Sequence, residues 1–340
     1  MKASEWPADW TVRSATFDDL EPAVDMFNAR SRKFYGKNQS TPAEMLGWWK
    51  IPRFDLARDT RIVLDEQGRM IGWAHVGNPG EPYVSIGCGV ITHPSVEENH
   101  ALWDRLMAWA LERAEEYAPL APSGARVVVC ENAMEGDVAR RSAAERAGFQ
   151  VVRVGNLMRI DLERSPPEPR WPDGISVRTA CIENDLRAIV AVDVEAFRDH
   201  WGHVERPFED EFEGWQDYVR GKGAALDPTL WFLAVEGAEI VGFSVCSGNI
   251  TDDTTRGYVD GLCVRPARRK RGIALALLHH SFGELYRRGK TAVELDMDSE
   301  NLTGALRLYE RAGMRVIRRT LSYELVLREG EDLVTRELAT

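Results

Sequence analysis

Apolar residues recur along the second half of this chain in two spacings. Within 291–297 the spacing is two: Val293, Leu295 and Met297 face one way, Glu294 and Asp296 the other, which predicts a half-buried strand. Within 273–288 it lengthens to a helical period, with Leu275, Leu278, Phe282 and Leu285 on one face and Gly289 as the stop. The same reading predicts a strand at 175–178, a helix at 183–197 and a strand at 257–264. It adds a hairpin of 230–235 and 239–247 around Glu236-Gly237. A helix over 302–311 carries Leu302, Ala305, Leu306 and Tyr309 on one stripe, ends at Gly313, and precedes a last strand pattern at 315–327. Helices and strands mixed around one sheet predict an α/β (α+β) domain.

The pattern occurs twice. Val12-Arg13-Ser14-Ala15 matches Val177-Arg178-Thr179-Ala180, Ile71-Gly72 matches Val241-Gly242, and Glu145-Arg146-Ala147-Gly148-Phe149 matches Glu310-Arg311-Ala312-Gly313-Met314. The matches are collinear and each copy is domain-sized. Between them, Pro166, Pro167, Pro169 and Pro172 among charged residues predict an irregular linker. The expected division is a domain at 1–162, a linker at 163–174, a second domain at 175–330 and a tail at 331–340.

Composition narrows the function classes. The 340 residues suit two domains, and the formal charge of −11 argues against general nucleic-acid binding while suiting a cationic small substrate. No apolar run approaches a membrane span and no signal-peptide core opens the chain, so a cytoplasmic location is expected. Cys88, Cys130, Cys181, Cys246 and Cys263 form no CxxC pair and read as reduced, mostly buried thiols, so no metal site is expected.

The most informative stretch is Val264-Arg265-Pro266-Ala267-Arg268-Arg269-Lys270-Arg271-Gly272-Ile273-Ala274-Leu275. Five basic residues crowd a turn between an apolar strand and an apolar helix, and Gly272 and Ala274 remove bulk where that helix starts. A helix start has unpaired N–H groups and a positive partial charge, so small residues there let a phosphate approach. The segment Arg269-Lys270-Arg271-Gly272-Ile273-Ala274 resembles the [R/Q]-x-x-G-x-[G/A] motif of the GNAT (Gcn5-related) N-acetyltransferases. Asn301, Ala305, Tyr309, Gly313 and Met314 resemble that family's second mark. The two marks stand in order, separated by a helix and an alternating strand, and the resemblance covers nearly all of 174–327. The tandem arrangement is similar to that of the mycothiol synthase group, whose C-terminal domain is the catalyst.

The resemblance implies two GNAT-like domains, each with a mixed, mostly antiparallel sheet flanked by helices. It implies acetyl-CoA as co-substrate and a small-molecule or peptide amine as acceptor, in a monomer or homodimer. Backbone groups of Leu262, Cys263 and Val264 would pair with the pantetheine, residues Arg269, Lys270, Arg271, Gly272, Ile273, Ala274 and Leu275 would take the phosphates, and Asn301 and Ala305 would complete the cofactor site. Tyr309 would give a proton to the leaving thiolate, since a phenol of pKa about 10 stays protonated at neutral pH. The mycothiol synthase group carries a Glu base six residues before the strand's final Val, and here that position is Tyr258. Asp260, two residues on and on the same strand face, is one candidate base. His200 and His203, flanking Trp201 after the first helix where such domains shape the acceptor pocket, are the alternatives.

The first copy departs from the motif. Alignment on its shared proline puts His100 opposite Gly272 and Glu97-Glu98 opposite Arg269-Lys270, and alignment on Ala147-Gly148 puts Ala144 opposite Tyr309. Residues 1–162 are therefore expected not to catalyse transfer. Two rival readings remain: a non-catalytic acyl-CoA sensor or scaffold, and transfer of another acyl group.

Overall fold

The periodicities become elements in a computed structural model that describes residues 6–51, 53–77, 80–198, 200–201, 203–223, 226–250, 253–299 and 304–335. The first repeat runs β1 (Thr11–Arg13), α1 (Leu20–Tyr35), α2 (Pro42–Trp49), α3 (Leu56–Asp59), β2 (Thr60–Leu64), β3 (Met70–Val76), β4 (Ser85–Thr92), α4 (His100–Glu115), β5 (Val127–Met134), α5 (Val138–Arg146) and β6 (Gln150–Asp161). The second runs β7 (Ile175–Thr179), α6 (Ile182–Phe197), α7 (Phe208–Lys222), β8 (Trp231–Glu236), β9 (Glu239–Ser247), β10 (Arg256–Val264), α8 (Ile273–Arg287), β11 (Ala292–Asp298), α9 (Ala305–Arg311) and β12 (Arg315–Arg328). Every element predicted for the second repeat forms within a few residues of its expected bounds; the Leu302 end of the last helix lies outside the described residues. Helix α7 is an addition that the pattern reading does not contain.

The chain divides into two compact units, Met1–Gly155 with Arg319–Leu333, and Asn156–Arg318 with Val334–Thr340. This differs from the sequential division at 1–162 and 175–330, because the closing strand of each repeat serves the other unit. Unit 1 orders its strands β1-β2-β3-β4-β5-β12, and unit 2 orders them β6-β11-β10-β9-β8-β7. Pairing is antiparallel between successive strands from β1 to β4, between β5 and β12, and from β7 to β10. It is parallel at β4–β5 and β10–β11. The expected mixed, mostly antiparallel sheets are thus present.

Alternation along the strands of unit 2 feeds two cores. One face places Val259, Val264, Leu295 and Met297 against Leu278 and Phe282 of α8. The other places Leu233, Phe243, Val245 and Cys263 against Ile189 and Val190 of α6, with α7 completing the cover. Fully burying one such aliphatic or aromatic side chain stabilises the fold by about 1.5–3 kcal/mol. Linker residues 163–174 form no helix or strand, yet Trp171 packs on the α8 core. In unit 1, Trp49 stacks on Trp73 at 5.6 Å and Trp48 on Phe54 at 5.2 Å, so this aromatic run builds the core.

Candidate active site

The geometry begins with where two parallel strands part. Strand β10 pairs with β9 from Tyr258↔Ser247 to Val264↔Gly242. It pairs with β11 only from Arg256↔Ala292 to Tyr258↔Glu294. Beyond Tyr258, β10 leaves the ladder on the β11 side; the Arg265 N–H bonds the Val241 carbonyl of β9, so by alternation the Cys263 backbone groups face β9 and those of Leu262 and Val264 face the opening. The register shift between Val259 and Gly261 leaves Asp260 as a bulged residue at the start of that opening. Gly242 holds β9 close to β10: a Cβ there would lie 2.6 Å from the Cys263 carbonyl oxygen.

Past Val264 the chain makes a short 3-10 turn at Pro266–Arg268 and enters α8. Lys270 and Gly272 both adopt positive φ, 63° and 93°. Backbone of this kind turns successive N–H groups toward one side. Gly272 is the N-cap and no side chain caps the helix. The basic side chains behave differently from their backbone. Arg268 and Arg271 both pair with Glu236, at 2.6 and 2.9 Å. Arg265 pairs with Glu195, and Arg269 donates to the Ala196 carbonyl at 2.6 Å. The turn is thereby tied to the end of α6 and to β8. Lys270, exposed, has no ion-pair partner among the described residues.

Tyr309 sits on α9, half-buried against the α8 core with Ala305, and burial pushes its phenol up to about 12. Asp260 is held by its neighbours: its carboxylate accepts from Ser247 Oγ at 2.6 Å, from Lys222 Nζ at 3.4 Å and from the Tyr218 hydroxyl. Tyr258 donates its hydroxyl to Asp296 at 2.5 Å, and burial with that carboxylate beside it holds the phenol protonated. Asn301 lies outside the described residues. His200 packs edge-on to Phe197 at 4.4 Å, with Trp201 following it, and the His203 carbonyl accepts from the Thr335 N–H. Contacts of this segment thus include α6 and the tail.

Lys222, Tyr218 and Trp215, which the sequence reading missed, all come from α7. Their signal is legible afterwards: Phe208, Phe212, Trp215 and Val219 recur at helical spacing directly after Pro207.

Unit 1 contains the same opening, filled. Strand β4 pairs with β5 only from Ser85↔Val128 to Gly87↔Cys130, while its pairing with β3 reaches Thr92. Fully buried Glu131, just past the last pair, accepts the Val90 N–H and takes a bond from Arg140 Nε at 2.5 Å. Arg30 donates to the Thr92 carbonyl at 3.1 Å and pairs with Asp137. Helix α4 is self-capped: the Asn99 side chain accepts from the Leu102 N–H at 3.1 Å. Asn99, and not His100, therefore stands opposite Gly272, because the turn in this copy is one residue shorter. Buried Ala144 has no hydroxyl to offer.

Comparison with known proteins agrees with this arrangement. The acetyltransferase (GNAT) family model matches residues 188–314. A mycothiol acetyltransferase of Thermomonospora curvata is 31% identical over 260 residues, which are 75% of this chain and 79% of that protein. A GCN5-related N-acetyltransferase of Sphaerobacter thermophilus, known from its crystal structure, is 30% identical. It covers 96% of this chain and 99% of its own, with a TM-score of 0.79. A tandem GNAT protein from the clavulanic acid biosynthesis pathway, 14% identical, shares the fold over 95% of this chain and 100% of its own, with a TM-score of 0.70. With two such units in one chain, this protein belongs to the GNAT family in its tandem form and is an N-acetyltransferase.

Proposed function

We propose that unit 2 transfers an acetyl group from acetyl-CoA to a primary amine of a small molecule or a peptide N-terminus by direct attack. One observation carries this reading: an open strand edge at 262–264 leads directly into an uncapped helix start at Gly272. A pantetheine arm needs the first and a pyrophosphate the second. The fit is physical, since a Cβ at Gly272 would meet no atom within 4 Å, so the turn is open to a group the size of a phosphate.

Acetyl-CoA bound there supplies an activated thioester carbon. Backbone of Leu262 and Val264, with Cys263 between them, holds the arm and offers N–H to the carbonyl oxygen as charge develops on it. Backbone of 269–275 holds the phosphates, with exposed Lys270 as a nearby cation, and the family's second mark adds Asn301 and Ala305. Tyr309 keeps a proton available for the departing sulfur, since its phenol at about 12 stays neutral at working pH. The His200–His203 segment is a place where acceptor contacts are proposed. The name of the curated relative makes mycothiol-type precursor amines the first acceptors to test.

The test is thiol release from acetyl-CoA with a panel of amines, comparing the wild-type chain with Tyr309→Phe. Loss of the acid is expected to lower kcat between about ten- and several-hundred-fold, reaching the lower end of the range of general acid catalysis. A chain that binds the coenzyme, turns over no amine and ignores the substitution is a sensor, and the enzymatic reading fails.

A further inference from the structure

The position at which the family resemblance implies a base is Tyr258 here, and the strand register places a carboxylate nearby. Val259, Leu295 and Met297 point into the α8 core. By alternation Tyr258 and Asp296 stand on the opposite face, and the bonds of Asp260 to Lys222 and Tyr218 put it on that face too, the one covered by α6 and α7. The β10–β11 ladder ends at Tyr258↔Glu294. The next residues on that face are Asp260 on one strand and Asp296 on the other, so a carboxylate flanks each side of the opening.

Their surroundings differ. Asp260, though exposed, is paired with Lys222 and accepts from Ser247 and Tyr218. Glu294 is buried and paired with Arg256. Asp296 is exposed, and among the described residues it has no cationic partner. Its bond is to the Tyr258 hydroxyl, which fixes one carboxylate oxygen and leaves the other for a ligand.

We propose that Asp296, oriented by Tyr258, holds the acceptor's ammonium group and takes the proton it releases. The carboxylate that Tyr258 does not provide is thus supplied by the neighbouring strand. In the balanced step the N–C bond forms and the C–S bond breaks. Of the two protons that the ammonium nitrogen loses, one goes to Asp296 before attack, and the other, by way of solvent water, restores the proton that Tyr309 gives to the departing sulfur. Asp260 becomes a structural anchor for the end of α7.

This rests on unit 2 being the catalyst, and the full-length chain tests both. With acetyl-CoA and the amine of a panel (glucosamine, S-methylcysteine, spermidine, kanamycin) that the wild type uses best, Asp296→Asn is expected to lower kcat/KM by about 100-fold or more. Asp296→Glu, which keeps the charge, recovers at least about a tenth of the loss, and Asp260→Asn costs less than about tenfold. Coenzyme affinity by calorimetry stays within about threefold in all of them, because none touches the phosphate turn. Retention of more than about a third of kcat/KM in Asp296→Asn, or a larger loss in Asp260→Asn, overturns the assignment while leaving the enzyme reading intact. A wild type that binds acetyl-CoA but acetylates no amine overturns the parent reading, and this one with it.

Discussion

Two half-buried ionisable residues in unit 2 show how loss of solvent selects a protonation state. Tyr309 keeps its proton, which its proposed role requires. Asp193 on α6 is the costlier case. Its carboxylate has the Trp215 indole N–H at 3.2 Å as donor, and burial, with Glu211 nearby, pushes it up to about 6 from an ordinary 3.8. The native state therefore binds more protons than the unfolded chain between those two values, so stability falls as pH rises through this window and the full penalty is present above it. That penalty is on the order of 1–3 kcal/mol. Asp193→Asn keeps an acceptor for Trp215 and removes the charge. It is expected to melt higher than the wild type at pH 7.5 and to lose the wild type's gain on acidification to pH 5; identical melting curves at both values would refute the account. The sequence shows Asp193 as one polar residue between Val192 and Val194. Its burial depends on α7, so neither the shift nor its cause is visible without that helix.

At the scale of elements, the two repeats place the same helix after the same strand and finish it oppositely. In α8 the N-cap is a glycine with positive φ, while in α4 it is an asparagine whose side chain already occupies the helix start. The strand openings differ likewise, one free and one filled by Glu131. A pyrophosphate at α4 would have to displace Asn99 and meet Glu97 and Glu98, and a pantetheine would have to expel a buried, ion-paired carboxylate. Calorimetry on the full chain is thus expected to give a single acetyl-CoA per chain, and a stoichiometry of two would show that the filling side chains yield. Most of this contrast was legible, because Gly272, Ala274 and the acidic pair state it in residue type. What was not legible is direction. The basic run of 268–271 reads as a phosphate clamp, but Glu236 is far away in sequence and takes two of its arginines. The acceptor face was half hidden for a similar reason: with α7 unread, Asp260 looked free, and Lys222 could not be seen to pair with it.

At the scale of the molecule, repeats and compact units are different objects. A repeat ends with its own last strand in sequence, but β6 residues 156–161 belong to unit 2, and β12 residues 319–328 to unit 1. The exchange has a physical content on each side. In unit 2, Met158 and Leu162 are buried in the α8 core, the Leu162 N–H bonds the Thr291 carbonyl at 2.8 Å, and Arg315 pairs with Asp161 at 2.6 Å. In unit 1, Leu321 and Tyr323 are buried, β12 pairs with β5 from Thr320↔Met134 to Arg328↔Val127, and the Tyr323 hydroxyl bonds Glu145 at 3.1 Å. Periodicity marks both strands correctly but carries nothing about which sheet receives them. A chain cut at the linker therefore yields a 163–340 fragment that lacks the closing strand of its own core and retains one with no sheet to join. Losing two buried apolar side chains of this size costs about 2–5 kcal/mol each, against a typical domain stability of about 5–15 kcal/mol. That fragment is expected to show no cooperative thermal transition, and a 156–340 fragment, which restores β6, to regain one; a 163–340 fragment that melts cooperatively near the full chain's transition would show that the exchanged strand is dispensable to the unit it completes.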